Sequence, residues 1–315
     1  MPIAEIPLCV WRTRGHDLVF RGQRIRYWVA GQGEPLLLIH GFPTASWDWH
    51  YLWQPLARHH QVIACDMLGF GDSAKPLEHD YSLLEQADLQ QALLAHLGIA
   101  EPVHLLAHDY GDSVAQELLA RHYEERIDIA SCVFLNGGLF PETHRPVLTQ
   151  KLLLSPLGWM LGRTFSRQGL AKSFRQIFGP QNRPSESVLD DFWSLVQSND
   201  GPRILHKLIG YIPERRARRE RWVSAMQRGE VPLRVIDGAL DPISGAHMVE
   251  RYRQLIPRAD TVLLPSIGHY PQIEAPLAVL KHYLEFRDNL LSPSSRLACC
   301  LLYTSDAADE EDSGD

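Results

Sequence analysis

One stretch decides the fold: VHLLAHDYGDSVAQE, residues 103–117. Its opening VHLLA is the apolar run of a buried strand, and the residues from Tyr110 onward have the pattern of a helix. A sharp turn must therefore lie between them, and this region carries two candidate nucleophiles, Asp109 and Ser113. A strained strand-to-helix turn needs small residues two positions to either side of the reacting residue, because backbones approach closely there. Both candidates have such neighbours: Ala107 and Gly111 for Asp109, and Gly111 and Ala115 for Ser113.

The position of the turn separates the two candidates. The apolar run ends at Ala107, so the turn falls on Asp109, whereas Ser113 lies one helical turn further on, in a helix predicted over 110–122. A serine inside a helix typically bonds back to a backbone carbonyl. We therefore predict Asp109 as the nucleophile and keep Ser113 as the alternative. The choice sets the substrate class, because a carboxylate attacks an alkyl carbon and a serine hydroxyl attacks an ester or amide carbonyl.

Around this stretch, short apolar runs alternate with longer helical patterns, which predicts an α/β fold with a mostly parallel sheet flanked by helices. The rhythm breaks over 140–229, where the pattern is helical, aromatic and punctuated by Pro and Gly. We predict an inserted helical cap there, between a first core part, 1–139, and a second, 230–290. Such a cap would cover the carboxyl ends of the strands, where open α/β folds bind ligands. The predicted strands are 24–30, 35–40, 61–66, 102–108, 129–136, 232–237 and 261–266.

The loop HGFP, residues 40–43, follows directly on a predicted strand. From this place a backbone N–H can stabilise an oxyanion next to the nucleophile. We expect one such N–H from Phe42 and a second from Tyr110, the residue after the nucleophile. His40 and Pro43 are predicted to contact the substrate.

A late acid and a histidine complete the pattern. Asp241 lies in the turn DGALDP and His269 in SIGHYPQ, each directly after a predicted strand. Both should therefore reach the same edge of the sheet as the nucleophile, in the chain order nucleophile, acid, histidine. Asp237 competes for the role of the acid, but its place before Gly238 favours a turn-forming role.

Composition is that of a globular enzyme rather than of a disordered or fibrous protein. Hydrophobic residues make up 45% and charged residues 22% of the 315 residues, and no apolar run reaches the ~18 residues of a spanning helix. The N-terminus lacks a signal-peptide pattern, and the five cysteines have no CxxC spacing, so we expect a cytoplasmic protein, monomeric or homodimeric. Fifteen histidines without ligand spacing predict no metal and no cofactor.

The run ERRARRERW, residues 214–222, is strongly basic. Two glutamates are interleaved with it, and without the six acids of the last stretch of the chain the formal net charge moves from −7 to −1, which is near neutral. We predict a solvated helix face there and no nucleic-acid partner. The same charge can draw an anionic substrate or membrane surface towards the cap.

The last stretch, CCLLYTSDAADEEDSGD, has no helical or strand period, and we predict a disordered tail over 291–315. From about Cys300 onward it resembles the in-frame translation of a transposase adapter used to build sequencing libraries, and such a scar carries no information on the fold. It holds six acids, so the negative net charge says nothing about partners. These acids are Asp306, Asp309, Glu310, Glu311, Asp312 and Asp315.

Four segments carry a resemblance to a known family. They are HGFPTASWDW (40–49), HDYGDSVAQELL (108–119), NGGLFPETHRP (136–146) and FGPQNRPSES (178–187). Together with the late acid and GHYPQ they resemble the α/β-hydrolase superfamily, in its branch of epoxide hydrolases and haloalkane dehalogenases with an aspartate nucleophile. Within this branch the chain is most similar to the mesoderm-specific transcript protein-like hydrolases. The resemblance spans roughly residues 17 to 288 and implies the α/β-hydrolase fold with a cap.

The resemblance implies a two-step reaction without a cofactor. Asp109, ionised at neutral pH, attacks a carbon atom of a small apolar substrate and forms an alkyl-enzyme ester. His269, oriented by Asp241, then activates the water that hydrolyses the ester. The N–H groups of Phe42 and Tyr110 hold the oxyanion of this second step.

The resemblance also ranks the substrate classes. Epoxide hydrolases of this branch use two cap tyrosines as acids; Tyr211 matches the second, and the first has no counterpart. Dehalogenases bind the halide with an indole N–H after the nucleophile or an asparagine after the His-Gly pair, where this sequence has Tyr110 and Phe42. We expect an epoxide hydrolase-like enzyme, with Trp159 in its apolar pocket. Carbon–halogen cleavage, a carboxylesterase and a non-catalytic binding protein are the alternatives.

Overall fold

The computed structural model of the protein describes residues 3–291. Its strands are β1 (His16–Phe20), β2 (Gln23–Ala30), β3 (Pro35–Ile39), β4 (Gln61–Cys65), β5 (Val103–His108), β6 (Ile129–Leu135), β7 (Leu233–Gly238) and β8 (Thr261–Leu264). They form one sheet in the spatial order β1-β2-β4-β3-β5-β6-β7-β8. The pairs β1–β2 and β2–β4 are antiparallel, and the remaining five are parallel. This is the predicted α/β fold.

Thirteen α-helices lie within residues 3–291, and none of them is long and apolar enough to cross a membrane. They are α1 (Leu8–Thr13), α2 (Trp53–Ala57), α3 (Leu83–His96), α4 (Tyr110–His122), α5 (Leu148–Leu153), α6 (Gly158–Thr164), α7 (Arg167–Ile177), α8 (Glu186–Gln197), α9 (Leu205–Leu208), α10 (Tyr211–Gln227), α11 (Ala246–Leu255), α12 (Pro271–Glu274) and α13 (Pro276–Leu291).

The predicted strands agree with β2 to β8 to within two residues at either end. The central strands β3 and β5 are buried at every position, which is why they read as continuous apolar runs. The strand β1 was not predicted. It pairs only with β2 at the edge of the sheet and leaves Val19 73% exposed, so it needs no apolar run.

Alternate residues of the central strands pack on opposite faces of the sheet. Leu37 and Leu105 belong to a core shared with α3 and α4. Leu36 and Leu106 belong to a second core, which contains residues of α2 and α13. Because side chains are close-packed on both faces, the carboxyl ends of β3 and β5 are held rigidly.

The stretch between β6 and β7 is helical, as predicted. It contains α5 to α10 and no strand. Its division from the core at 140–229, and its action as a separate cap, stay predictions. The predicted tail lies outside the described residues, apart from Leu291, which ends α13.

Candidate active site

Asp109 lies on the turn between β5 and α4, with φ 49° and ψ −103°. This is an uncommon conformation for a residue with a side chain and marks a strained turn. Two residues later, a Cβ on Gly111 would overlap the backbone carbonyl of Ile39, so the helix can follow the turn only with glycine there. The side chain of Asp109 is buried, and its Oδ2 accepts the N–H of Phe42 at 3.1 Å.

His269 and Asp241 meet beside this carboxylate. The Nδ1–H of His269 donates to Oδ2 of Asp241 at 2.7 Å, and its Nε2 lies 4.0 Å from Oδ2 of Asp109. Asp241 also accepts the side-chain amide of Asn136 and two backbone N–H groups of its own turn. The competing acid, Asp237, instead accepts the backbone N–H of Asn136. The structure thus brings together the three residues singled out for catalysis.

The neighbouring charges determine the pKa of His269. Burial alone would lower the pKa of His269, but the negative charge of Asp241 and the hydrogen bond to it prevail and raise the pKa to about 9. The nearby charge of Asp109 acts in the same direction. At neutral pH His269 is therefore an imidazolium, and it lies between the side chains of Asp241 and Asp109.

We predict a loss of stability at alkaline pH that depends on His269. Because its pKa rises from 6.5 to about 9 on folding, its contribution is fully present below pH 6.5 and is lost as the pH approaches 9. The shift corresponds to about 3 kcal/mol. Urea titrations should therefore show that the stability difference between wild type and His269→Gln falls by about this amount across that interval. A pH-independent difference would contradict the assigned ion pair.

Phe42 and Tyr110, the residues predicted to hold an oxyanion, lie next to Asp109 in space and in sequence respectively. Phe42 points its N–H at the carboxylate of Asp109, as described above, and Tyr110 is the first residue of α4. The N–H of a first helical residue has no partner within the helix and is free to bind an oxygen atom. The role of these two N–H groups in holding an oxyanion stays a prediction.

Two residues of the loop 40–43 have different roles. Pro43 lines the cavity above Asp109, as predicted. His40 does not contact this cavity: its Nδ1–H donates to the carbonyl of Gly41 at 2.8 Å, and its Nε2 accepts the N–H of Met67 at 3.0 Å. Burial lowers the pKa of His40 to about 4, so it stays neutral and makes both bonds. His40 therefore fixes the loop instead of contacting a substrate as predicted.

The cavity at Asp109 is small and apolar. Its volume is about 50 Å³, less than two water molecules occupy in the liquid. A substrate must therefore displace covering side chains from α5, α7 and α9. The lining residues are Phe42, Pro43, Asp109, Val147, Thr149, Gln150, Leu153, Phe165, Leu170, Ser173, Phe174, Ile177, Leu205, Ile243 and His269.

Comparison with known proteins identifies the family. Residues 34–276 match the model of the family described as alpha/beta hydrolase fold. The chain belongs to this α/β-hydrolase family. It is 44% identical to the mesoderm-specific transcript protein of Mus musculus, over 88% of this chain and 86% of that protein. It is 41% identical to the LipZ protein of Mycobacterium tuberculosis, over 79% and 86% respectively. The resemblance stated from the sequence is confirmed.

A solved structure shows the same α/β-hydrolase fold. The epoxide hydrolase CorEH superposes with a TM-score of 0.73 at 22% identity, covering 88% of this chain and 99% of that one. At this identity the likeness concerns the fold alone.

Tyr211 lies beside the site that contains Asp109 and His269. Its ring is 5.8 Å from that of Phe42 and 5.2 Å from that of Tyr110. Its hydroxyl accepts the side-chain amide of Gln150 at 3.2 Å, which leaves the hydroxyl hydrogen free to donate. Burial and the charge of Asp109 raise the pKa of Tyr211 far above its usual range, so the phenol is protonated.

Trp159 lies outside the cavity, contrary to prediction. Its side chain is 46% exposed on α6, and the guanidinium of Arg163 lies 5.4 Å from the centre of its ring. The sequence alone cannot tell the inner from the outer surface of a short helix. Two phenylalanines of the same helical stretch, Phe165 and Phe174, do line the cavity.

Arg215 is a residue of the site that the sequence analysis did not predict. The basic run 214–222 was predicted as a solvated face, but Arg215 is only 2% exposed. Its Nη2 donates to the carbonyl of Asp109 at 2.7 Å and lies 3.7 Å from Oδ1 of the same residue. Its guanidinium also lies 4.5 Å from the ring centre of Tyr211. One available signal was its spacing of four residues from Tyr211, which puts both on one helix face.

Ser113, the alternative nucleophile, is tied to the same arginine. It is fully buried in α4, and its Oγ accepts Nε–H of Arg215 at 2.6 Å. The histidine of the site bonds Asp241 and faces Asp109 instead.

Metal ligands do not cluster: among residues 3–291, no group of three or more His, Cys, Asp or Glu side chains could hold a metal ion. Cys9, Cys65 and Cys132 are free thiols. Cys299 and Cys300 lie outside the described residues.

Proposed function

We propose that this α/β-hydrolase opens small apolar epoxides through a covalent ester on Asp109. One observation carries the proposal: the carboxylate of Asp109 receives the Phe42 N–H and faces Nε2 of His269, while Ser113 is engaged by Arg215. A carboxylate in this setting is a nucleophile that needs no base to activate it. The largely apolar lining of the cavity suits an apolar substrate.

The first step is attack on carbon. An oxygen of Asp109 forms a bond to one ring carbon, and the bond from that carbon to the epoxide oxygen breaks. The oxygen leaves with the electron pair and takes the hydroxyl proton of Tyr211. The guanidinium of Arg215, stacked on the same ring, favours the phenolate that remains. One tyrosine with a stacked arginine thus does the work that two tyrosines do elsewhere in this branch.

The second step is hydrolysis of the ester. Alkylation removes the negative charge of Asp109, which is one of the charges that raise the pKa of His269. The pKa of His269 therefore falls once the ester has formed, so the imidazolium can release its extra proton to solvent and the neutral ring can take a proton from water. The hydroxide attacks Cγ of Asp109, and the N–H groups of Phe42 and Tyr110 hold the oxyanion. The ester bond breaks, the leaving alkoxide takes the proton of the new Asp109 carboxyl group, the diol leaves, and a proton from solvent restores the hydroxyl of Tyr211.

Carbon–halogen cleavage would use the same aspartate but a different leaving-group site. The side chains of Phe42 and Tyr110 offer no N–H at the positions where dehalogenases hold a halide. The amide of Gln150 lines the cavity, yet it donates to Tyr211. The epoxide assignment is therefore preferred.

Removal of the proposed acid tests the epoxide assignment. We predict that Tyr211→Phe slows hydrolysis of styrene oxide about 100- to 10,000-fold, which is the usual contribution of a general acid. Alkylation by 1-bromobutane, measured as the rate of adduct formation, should change little because bromide leaves without a proton.

Tyr252→Phe is the matched control for this prediction. Its hydroxyl is buried in α11 and has no hydrogen-bond partner among the described residues, so its loss should leave epoxide turnover unchanged. If both tyrosine variants hydrolysed styrene oxide at the wild-type rate, Tyr211 would not be the acid.

A further inference from the structure

The surface of α5, α6 and the turn between them exposes an unusual number of large apolar side chains. Six of them, within thirteen consecutive residues, are between 39% and 69% exposed. Single exposed apolar residues are normal on a protein surface, but a contiguous group marks an interaction site. We call this group the apolar patch; it consists of Leu148, Leu152, Leu154, Leu157, Trp159 and Met160.

The charged side chains of the sequence segment that carries the apolar patch are all basic. Between Thr143 and Ser185 there are seven lysines and arginines and no acidic residue. Arg167 pairs with Glu186 and Asp190. The other six make no ion pair with a carboxylate within residues 3–291; they are Arg145, Lys151, Arg163, Lys172, Arg175 and Arg183.

The apolar patch is the outer surface of the elements that enclose the cavity. Leu153 of α5 faces the cavity, whereas its neighbours Leu152 and Leu154 face solvent. A hydrogen bond between the hydroxyls of Thr149 and Ser173 joins α5 to α7, which carries two of the unpaired cations. A partner bound here would therefore contact the outer face of α5, whose inner face lines the cavity.

We propose that the apolar patch docks onto an anionic lipid bilayer. Exposed leucines together with a tryptophan are the side chains that insert at the bilayer interface, and unpaired lysines and arginines bind anionic headgroups. Arg163 stacked on Trp159 suits the boundary between headgroups and acyl chains. Docking would bring the entry to the cavity next to a phase in which apolar substrates concentrate. Such docking goes beyond the proposed function and does not depend on it.

Vesicle binding tests the docking directly, without any catalytic step. Full-length protein is sedimented with vesicles of phosphatidylcholine alone, and with vesicles in which about 30% of the lipid is phosphatidylserine. We expect at least about tenfold tighter binding to the anionic vesicles, and loss of this preference at about 1 M salt. Equal binding to both vesicle types, or no binding to either, would overturn the proposal.

Variants locate the binding surface. Leu157→Ser with Met160→Ser, and separately Lys151→Glu with Lys172→Glu, should each weaken binding to anionic vesicles at least about fivefold. The matched apolar control is Val19→Ser with Leu277→Ser, two comparably exposed residues elsewhere, and the matched charge control is Arg14→Glu with Arg58→Glu. Neither control pair should change binding. Losses equal to those of the patch variants would overturn the proposal.

Two further readouts distinguish insertion into the bilayer from self-association of the chain. Brominated lipids should quench tryptophan emission in the wild type and quench it less in Trp159→Phe, because Trp159 enters the bilayer. If instead the wild type is a dimer in solution and Leu157→Ser with Met160→Ser makes it monomeric, the apolar patch joins two copies of the chain, and the bilayer proposal is wrong.

Discussion

Asp109→Asn is expected to remain folded and to lose at least about 10⁴-fold in the rate of epoxide ring opening, as when the nucleophile of a catalytic triad is removed. An amide oxygen is a poor nucleophile, so no ester can form. The structural demands of the position are still met. Asparagine tolerates the positive φ of the turn, and its amide oxygen can still accept the N–H of Phe42. Single-turnover kinetics with styrene oxide measure the effect.

Ser113→Ala is the companion variant that makes this result decisive. It removes the acceptor of Arg215 Nε–H and should lower the free energy of unfolding by about 1–3 kcal/mol. It should leave ring opening within an order of magnitude of wild type, because the serine is not the reacting group. An active Asp109→Asn protein together with an inactive, folded Ser113→Ala protein would show that Ser113, and not Asp109, is the nucleophile.

His269→Gln is expected to separate the two chemical steps. Attack by Asp109 needs no base, so the first turnover should proceed at close to the wild-type rate. Ester hydrolysis should slow about 100- to 10,000-fold, because no group at that position can accept the proton of water. Rapid-quench measurements should therefore show a full burst of ring opening followed by very slow turnover.

His282→Gln is the control for this experiment. His282 lies in α13, where its Nδ1–H donates to Glu285 at the surface, so its loss should leave both steps unchanged. Equal slowing of burst and turnover in His269→Gln would show that the histidine acts in the first step, contrary to the proposed mechanism.

The sequence predicted the centre of the molecule well, because the signals there are strong. β3 and β5 are buried on both faces and so read as unbroken apolar runs. In a parallel sheet the carboxyl ends of strands meet at one edge, so residues just after β5, β7 and β8 had to converge. Asp109, Asp241 and His269 do converge in the structure.

The sequence predicted poorly where burial depends on packing far along the chain. Arg215 lies in a run of charges whose other members Arg219 and Arg221 form surface ion pairs, and only the approach of α10 to α4 buries it. Trp159 is an aromatic residue of the kind that lines apolar pockets, but it lies on the outer surface. His40 looked like a substrate contact, yet two backbone bonds occupy its ring.

Intact-protein mass spectrometry of His269→Gln after incubation with styrene oxide, followed by peptide mapping, is the sharpest test of an aspartate nucleophile. We predict a mass increase of one whole substrate molecule, located on the carboxylate of Asp109 and absent from the Asp109→Asn, His269→Gln double variant. An adduct on Ser113, or a full-length folded protein that gains no mass while wild type consumes the epoxide, would contradict the proposed mechanism.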